Sequence, residues 1–99
     1  MVHGEMIYKD GSKYIGGFKN GKWSGKGTIK TSSQEIDGDF EDDDLNGYAV
    51  IKSLDKESPQ TFKGQFIRGK KNGFGICLYN NGKFIYSEYK DNLRNGLFV

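Results

Sequence analysis

The chain has 99 residues and a formal net charge of +2, with 15 glycines, one proline, one cysteine and 14% aromatic residues. The near balance of charge excludes a general nucleic-acid binder, which carries a strongly basic face, and the single cysteine excludes an internal disulfide. Alanine occurs once and leucine five times, and both residues favour helices, so the composition predicts a β-rich domain with a thin core.

Glycine and aromatic residues recur in phase along the chain, and this repeat divides the chain into units. Residues 1–13 form a half unit, and the following units cover about residues 14–35, 36–61, 62–84 and 85–99. Each unit is anchored on its second bulky residue, and the anchors are Phe18, Phe40, Phe66 and Tyr89. Glycine or a substitute stands two residues before each anchor and three, seven and nine residues after it. We therefore predict a repeat protein in which each unit needs its neighbours to bury its apolar face.

Each unit is predicted to fold as strand, turn and strand. Tyr14, Gly16 and Phe18 fall on one face of a segment with period-two alternation, which is typical of a half-buried strand. A glycine between two aromatic residues lets a ring of the sheet lie against bare backbone. Asn-Gly and Asp-Gly dipeptides accept positive φ at little cost and mark tight turns or bulges. They stand at residues 10–11, 20–21, 46–47, 72–73, 81–82 and 95–96.

This arrangement resembles the MORN repeat (membrane occupation and recognition nexus), whose unit reads aromatic-x-Gly-x-aromatic-x-x-Gly-x-x-x-Gly-x-Gly. Residues 14–27 and 62–75 match every slot, residues 36–49 match loosely, and residues 85–98 match least. The resemblance implies an all-β fold, namely a single-layer antiparallel meander of successive β-hairpins with about four repeats in a twisted or grooved sheet. It also implies a module without catalytic apparatus that binds partner proteins, dimerises, organises cytoskeletal or membrane-adjacent assemblies, or contacts acidic phospholipids.

Both faces of the predicted sheet are candidates for partner binding. The aromatic row either packs as core or lines a groove for a partner helix or peptide, and it comprises Tyr14, Phe18, Phe40, Phe62, Phe66 and Tyr89. The opposite face carries Lys26 and Thr28 in the first unit but turns apolar towards the C-terminus. There it presents Phe74, Ile76 and Leu97. Exposed apolar patches usually mark interfaces, so we predict that these three residues contact another chain unless the insertion around residues 54–60 or the C-terminus covers them.

Charge is segregated along the chain and gives an alternative function. Residues 35–44 hold seven acidic side chains and no basic one, but they lack the glycine and glutamate of an EF-hand loop, so no metal site is predicted. Residues 62–75 hold four cations and no acidic side chain. In the alternative, the chain is a peripheral membrane module that binds anionic phospholipids through these cations, which are Lys63, Arg68, Lys70 and Lys71. Solvated hairpin surfaces are the simpler explanation of both charge runs, and in a third interpretation the acidic and basic hairpins steer a charged partner or a second copy of the chain.

Catalytic and cofactor sites are not indicated by the sequence. His3 is the only histidine and Cys77 the only cysteine, so a His/Cys metal cluster cannot form. We therefore predict a non-catalytic protein-interaction or scaffolding module without a cofactor, whose partner is a protein or a second copy and not a nucleic acid. With no signal peptide and no apolar run that spans a bilayer, we expect a cytoplasmic location, with attachment to the cytoskeleton or a membrane left open.

Overall fold

A computed structural model describes residues 2–54, 60–91 and 93–98, and these residues form nine β-strands in a single antiparallel sheet. Each strand pairs with its neighbours in sequence, so the order of strands across the sheet is the order along the chain. The predicted all-β fold and the single-layer meander are therefore confirmed. The strands are β1 (Val2–Ile7), β2 (Lys13–Lys19), β3 (Lys22–Lys30), β4 (Gln34–Glu41), β5 (Asp44–Ser53), β6 (Thr61–Ile67), β7 (Lys70–Leu78), β8 (Phe84–Lys90) and β9 (Leu93–Phe98).

Tight two-residue turns close three of the described hairpins, β2–β3, β4–β5 and β6–β7. Both residues of each turn have positive φ, as in the type I′ turn whose twist matches that of the strands. The turn residues are Asn20 and Gly21, Asp42 and Asp43, and Arg68 and Gly69. The Asn-Gly signal at residues 20–21 thus marks a tight turn, whereas those at 46–47 and 72–73 lie inside β5 and β7.

A bulge of the same pattern recurs in these three hairpins. In β2–β3, the segment of β2 from Gly16 to Phe18 pairs with the longer segment of β3 from Gly27 to Trp23. The extra residues of β3 include Gly25, which has a φ of 76°. Gly47 and Gly73 occupy the same place in β5 and β7, with φ of 125° and 97°. A residue with a Cβ atom is strained in this region of backbone space. The bulge therefore accounts for the glycine seven residues after the anchors Phe18, Phe40 and Phe66.

The core lies on one side of the sheet, the front face, where aromatic rings lie directly over glycine backbone. The Tyr14 ring occupies the space that a Cβ atom of Gly27 would need, and a Cβ atom on Gly75 would come within 2.5 Å of Phe62 Cζ. The last glycine of the repeat is thus required by the ring above it. The buried aromatic residues are Tyr14, Phe40, Phe62, Phe66 and Tyr89.

The unit between the Tyr14 and Phe62 units, at residues 36–61, has neither the aromatic ring nor the last glycine of the repeat. Ile36 stands where the ring would be, and Ala49 stands in the last glycine slot and is buried. A Cβ atom on Gly38 would lie 2.7 Å from Leu45 Cδ2 and 2.8 Å from Ala49 Cβ. Smaller side chains from β5 therefore fill the space that a ring occupies in the neighbouring units, which explains why an alanine is accepted here.

Hydrogen bonds between successive turns join the hairpins at one end of the sheet. The Asp43 N–H donates to the Trp23 carbonyl at 3.2 Å, and one unit further the Gly69 N–H donates to the Leu45 carbonyl at 2.8 Å. The Asp43 carboxylate also accepts a bond from the Trp23 N–H at 2.8 Å. Aspartate tolerates the left-handed conformation better than most residues, and this second bond offsets the cost of replacing glycine at this slot.

Candidate interaction surface on the back face

The side chains that alternate with the core residues form the opposite surface of the sheet, the back face. On β7, Phe74 and Ile76 alternate with the buried Gly75 and Cys77 and therefore point to the back face. At the equivalent positions of β3 the chain has Lys26 and Thr28 in place of Phe74 and Ile76. The predicted change from polar to apolar side chains along this face is therefore present among the described residues.

The apolar part of the back face is an aromatic patch, defined here as Tyr48, Val50, Phe74, Ile76 and Tyr86. Tyr48 is 52% exposed, Phe74 51% and Tyr86 41%, and Val50 and Ile76 are half-buried. The rings of Phe74 and Tyr86 are 6.0 Å apart between centroids, and Ile76 faces Tyr86 across the β7–β8 pairing. Three aromatic side chains thus share one water-facing surface on β5, β7 and β8.

Sequence reasoning placed Phe74 and Ile76 on this surface but did not select Tyr86. The signal for Tyr86 was the alternation of Ile85, Tyr86 and Ser87, in which Ser87 faces Gly75 on the front. The third predicted residue of this face, Leu97, belongs to β9, but its side chain lies outside the described residues.

The predicted aromatic row lies almost wholly in the core. Tyr14, Phe40, Phe62, Phe66 and Tyr89 are buried, and Phe18 is half-buried. The rings contact one another edge to face, and the centroids of Phe62 and Tyr89, for example, are 5.6 Å apart. A partner would reach the five buried rings only if they left the core, because they lie over the backbone of their own sheet. The row therefore supplies packing, and the back face supplies accessible aromatic surface.

A shallow depression of about 450 Å³ adjoins the aromatic patch towards the N-terminal strands. Tyr48 and Val50 line one side of it, and Lys26, Asp37 and Asp39 line another. Lys26 faces Asp39 across the β3–β4 pairing, and Thr28 donates a 2.5 Å hydrogen bond to the Asp37 carboxylate. The back face therefore offers an aromatic surface beside a recess lined by charges of both signs.

The four cations of the alternative function do not share one surface. Lys63 faces Val50 and Ile76 in the neighbouring strands and so lies on the back face. The Lys71 ammonium lies 4.2 Å from the centre of the Phe62 ring on the front face. Arg68 is in the β6–β7 turn and Lys70 begins β7. A flat membrane surface would therefore meet some of these cations but not Lys63 and Lys71 together.

The described residues include no group of histidine, cysteine and carboxylate side chains that could hold a metal. Burial raises the pKa of Tyr14, whose hydroxyl donates to the Gly17 carbonyl at 2.9 Å. Hydrogen bonds from Ser12 lower the pKa of Asp10 in the exposed β1–β2 loop. The Cys77 thiol is buried, with Sγ 3.7 Å from the Tyr89 hydroxyl. Each of these groups has a local structural role.

The sheet, the rings over glycine and the glycine bulges define a single-layer repeat protein built from β-hairpins. The sequence profile of the MORN repeat matches residues 14–34 and 62–84. These two segments are therefore MORN repeats, and the resemblance in the sequence is confirmed. The MORN repeat is a non-catalytic module that generally serves in interactions with proteins or membranes. Within the described residues no helix is long and apolar enough to cross a bilayer.

Relatives of this chain include Alsin from Rattus norvegicus, Mus musculus and Homo sapiens. Each is 36% identical to the chain over 66 residues, which is 64% of this chain. The match covers 4% of the length of these relatives. The similarity therefore concerns a small segment of much longer proteins.

Proposed function

We propose that the chain is a non-catalytic protein-interaction or scaffolding module that docks a partner protein, or a second copy of the chain, through the back face of its sheet. The aromatic patch supports this proposal. Tyr48, Phe74 and Tyr86 keep between 41% and 52% of their surface exposed, although aromatic residues of this size usually bury most of their area. Exposed aromatic and apolar side chains on one face of a sheet typically mark an interaction site.

The architecture explains why the patch would need an outside partner. The front face carries its own aromatic layer, whereas the described residues provide no second layer over the back face. Removal of apolar surface from water favours association. Aromatic side chains are enriched in the buried centres of interfaces and charged side chains at their rims. The patch with its neighbouring recess of Lys26 and Asp39 has this distribution.

The alternative is a peripheral membrane module that binds anionic phospholipids through Lys63, Arg68, Lys70 and Lys71. Each cation near an anionic surface contributes about 1 kcal/mol. The positions of Lys63 and Lys71 on opposite faces favour the protein partner over the membrane. For either function we propose a cytoplasmic location, in keeping with the buried, unpaired Cys77 thiol, with attachment to the cytoskeleton or a membrane surface through the docked partner.

The variant Phe74→Ser tests the role of the patch, with Ile7→Ser as a matched control. Ile7 is 64% exposed and also points to the back face, but it lies on β1, far from the patch. Affinity capture from the native source and sedimentation velocity over a range of concentrations measure partner binding and self-association. We expect Phe74→Ser to abolish capture of the partner or self-association. Ile7→Ser should retain whichever of the two the unchanged chain shows. A chain that stays monomeric and captures no partner, or equal binding by both variants, contradicts the proposal.

Co-sedimentation with vesicles of anionic phospholipid separates the two functions. We expect no salt-sensitive binding to these vesicles. Binding that is lost when Lys63, Arg68, Lys70 and Lys71 are all changed to alanine, and retained in Phe74→Ser, would replace the proposed function with the alternative.

A further inference from the structure

The aromatic patch is divided by β6, the strand that lies between β5 and β7. On β6, the exposed Lys63 stands directly across from Val50 of β5 and Ile76 of β7. Tyr48 and Phe74 are the diagonal neighbours on the same two strands, within reach of a long side chain. An ammonium group therefore lies in the middle of the aromatic patch.

Other lysines of the back face have a carboxylate across from them. Lys26 faces Asp39 in the β3–β4 pairing, and Lys52 faces Glu35 in the β4–β5 pairing. Both residues across from Lys63, by contrast, are aliphatic. A charge that is covered by an interface needs an opposite charge beside it, and the cross-strand neighbours of Lys63 do not supply one.

Glu88 is the counterpart of Lys63 on the other side of β7. It alternates with two buried residues of β8 and therefore lies on the back face. The residues across from it are Phe74 on β7 and Gly96 on β9, and neither carries a charge. Lys63 on β6 and Glu88 on β8 thus flank β7, each at one strand spacing of about 4.8 Å.

This order of charges is self-complementary. Because Lys63 pairs with Ile76 and Glu88 pairs with Phe74, a two-fold axis that crosses β7 between Phe74 and Ile76 exchanges the positions of Lys63 and Glu88. In two copies related by this axis, each Lys63 ammonium would stand opposite a Glu88 carboxylate, as in an isologous interface. The Phe74 and Ile76 side chains of both copies would meet between the two ion pairs, where two sheets packed face to face are about 10 Å apart.

We infer, in a step that rests on the proposed function, that the occupant of the aromatic patch is a second copy of the chain, docked about this axis through two reciprocal Lys63–Glu88 ion pairs. Charge complementarity favours the second copy, because the chain itself carries both members of the pair at matching distances from β7. Burial of the apolar side chains supplies the attraction, and the ion pairs fix the orientation of the two copies.

Charge reversal tests this pairing in the intact chain, with sedimentation velocity over a range of concentrations as the measurement. The unchanged chain should form a dimer. Lys63→Glu and Glu88→Lys should each weaken the dimer at least about tenfold, because each variant places like charges opposite one another at both pairs. The double variant restores both pairs with exchanged signs and should regain most of the lost affinity. An equimolar mixture of the two single variants should also dimerise, since each then supplies the charge that the other lacks.

Lys30→Glu is the matched control, because it makes the same change of net charge at an exposed position of the back face on β3, outside the aromatic patch. It should dimerise like the unchanged chain, and thermal unfolding checks that every variant folds. Equal losses in Lys30→Glu and Lys63→Glu would overturn the inference, because net charge alone would then explain them. Failure of both the double variant and the mixture to recover the dimer would also overturn it.

Phe74→Ser separates the second copy from the wider proposed function. The dimer should be lost in this variant, because the side chain between the two ion pairs is removed. A chain that stays monomeric but captures a different protein through Phe74 would overturn the inference and leave the proposed function intact. A dimer that survives both Phe74→Ser and Lys63→Glu would overturn the inference and contradict the proposed function as well, since the copies would then meet through another surface.

Discussion

The two repeats at residues 14–34 and 62–84 share their front face but differ on their back face. In both, a ring lies over the last glycine of the unit, Tyr14 over Gly27 and Phe62 over Gly75. On the back face, the first repeat presents the exposed Lys26 where the second presents Phe74. The front face is therefore constrained by the fit of ring to backbone, whereas the back face can change without disturbing that fit. Under the proposed function, differences between these two units in what they bind should accordingly reside on the back face.

The two repeats also differ on the front face, in the side chain that packs on the outer side of the Tyr14 or Phe62 ring. The Trp23 ring stacks on Tyr14 with centroids 4.6 Å apart and an interplanar angle of 6°. At the equivalent position of the other repeat, the Lys71 ammonium lies over Phe62. The packing beneath the ring is thus shared, but the group above it is exchanged between an aromatic ring and a cation.

The largest expected effect comes from adding one carbon to the shared packing. Gly27→Ala and Gly75→Ala should each lower the free energy of unfolding by about 3 kcal/mol, because the new Cβ atom would overlap a ring that cannot move away from its own strand. Gly4→Ala is the control, since its Cβ atom would meet only the edge of Phe18 at 3.3 Å, and its cost should be below about 1 kcal/mol. Urea denaturation measures all three. Equal losses at Gly4 and Gly75 would show that rings over glycine do not determine the packing.

Much of this packing could be predicted from the sequence. Side chains alternate between the two faces of a strand, so the two-residue spacing of rings and glycines places them on one face. The tight turns at Asp42-Asp43 and Arg68-Gly69 were not among the predicted dipeptides. Their positive φ values are imposed by the pairing of the flanking strands, whereas a dipeptide rule detects only intrinsic preference.

The candidate site was predictable only in part, since it depends on register between strands. Alternation after Gly73 identified Phe74 and Ile76, but Tyr86 joins them only through the pairing of β7 with β8. In the same way, Lys63 and Lys71 are close in sequence and both belong to one hairpin, yet they lie on opposite faces. The intervening bulge between Gly64 and Phe66 and the alternation of each strand decide this, and neither can be read from charge composition.

An intermediate effect is expected from removing the cover over each ring. Trp23→Ala should cost about 2 kcal/mol, less than for a fully buried tryptophan because Trp23 is half-buried. It also removes the hydrogen bond that the indole N–H donates to the Tyr8 hydroxyl at 2.9 Å. Lys71→Ala should cost about 0.5–1 kcal/mol, the usual size of a partly exposed cation–π contact.

Lys71→Met is the control for this pair, because it keeps the aliphatic contact with Phe62 and removes the charge. We expect its stability to lie between those of Lys71→Ala and the unchanged chain by thermal unfolding. A loss at Lys71→Ala as large as that at Trp23→Ala would contradict the view that the cation is the weaker cover.

A comparably small effect concerns the one atom group by which the two rings themselves differ, the Tyr14 hydroxyl. Tyr14→Phe makes the first repeat resemble the second, which has Phe62 at this position. The variant loses the hydrogen bond to the Gly17 carbonyl and should be less stable by about 1 kcal/mol at neutral pH. Urea denaturation of the variant and the unchanged chain gives this difference.

The same variant has a pH dependence whose sign follows from burial. Burial raises the pKa of Tyr14 above its ordinary value of 10.0, so the unfolded chain loses this proton at a lower pH than the folded chain. The neutral hydroxyl therefore stabilises the fold fully below about pH 10, and its contribution declines as pH rises through the raised pKa. The difference in stability between the unchanged chain and Tyr14→Phe should consequently shrink as the pH rises above about 10. A difference that stays constant or grows over this range would mean that the hydroxyl is not held neutral in the core, and that the two rings are packed less alike than their geometry indicates.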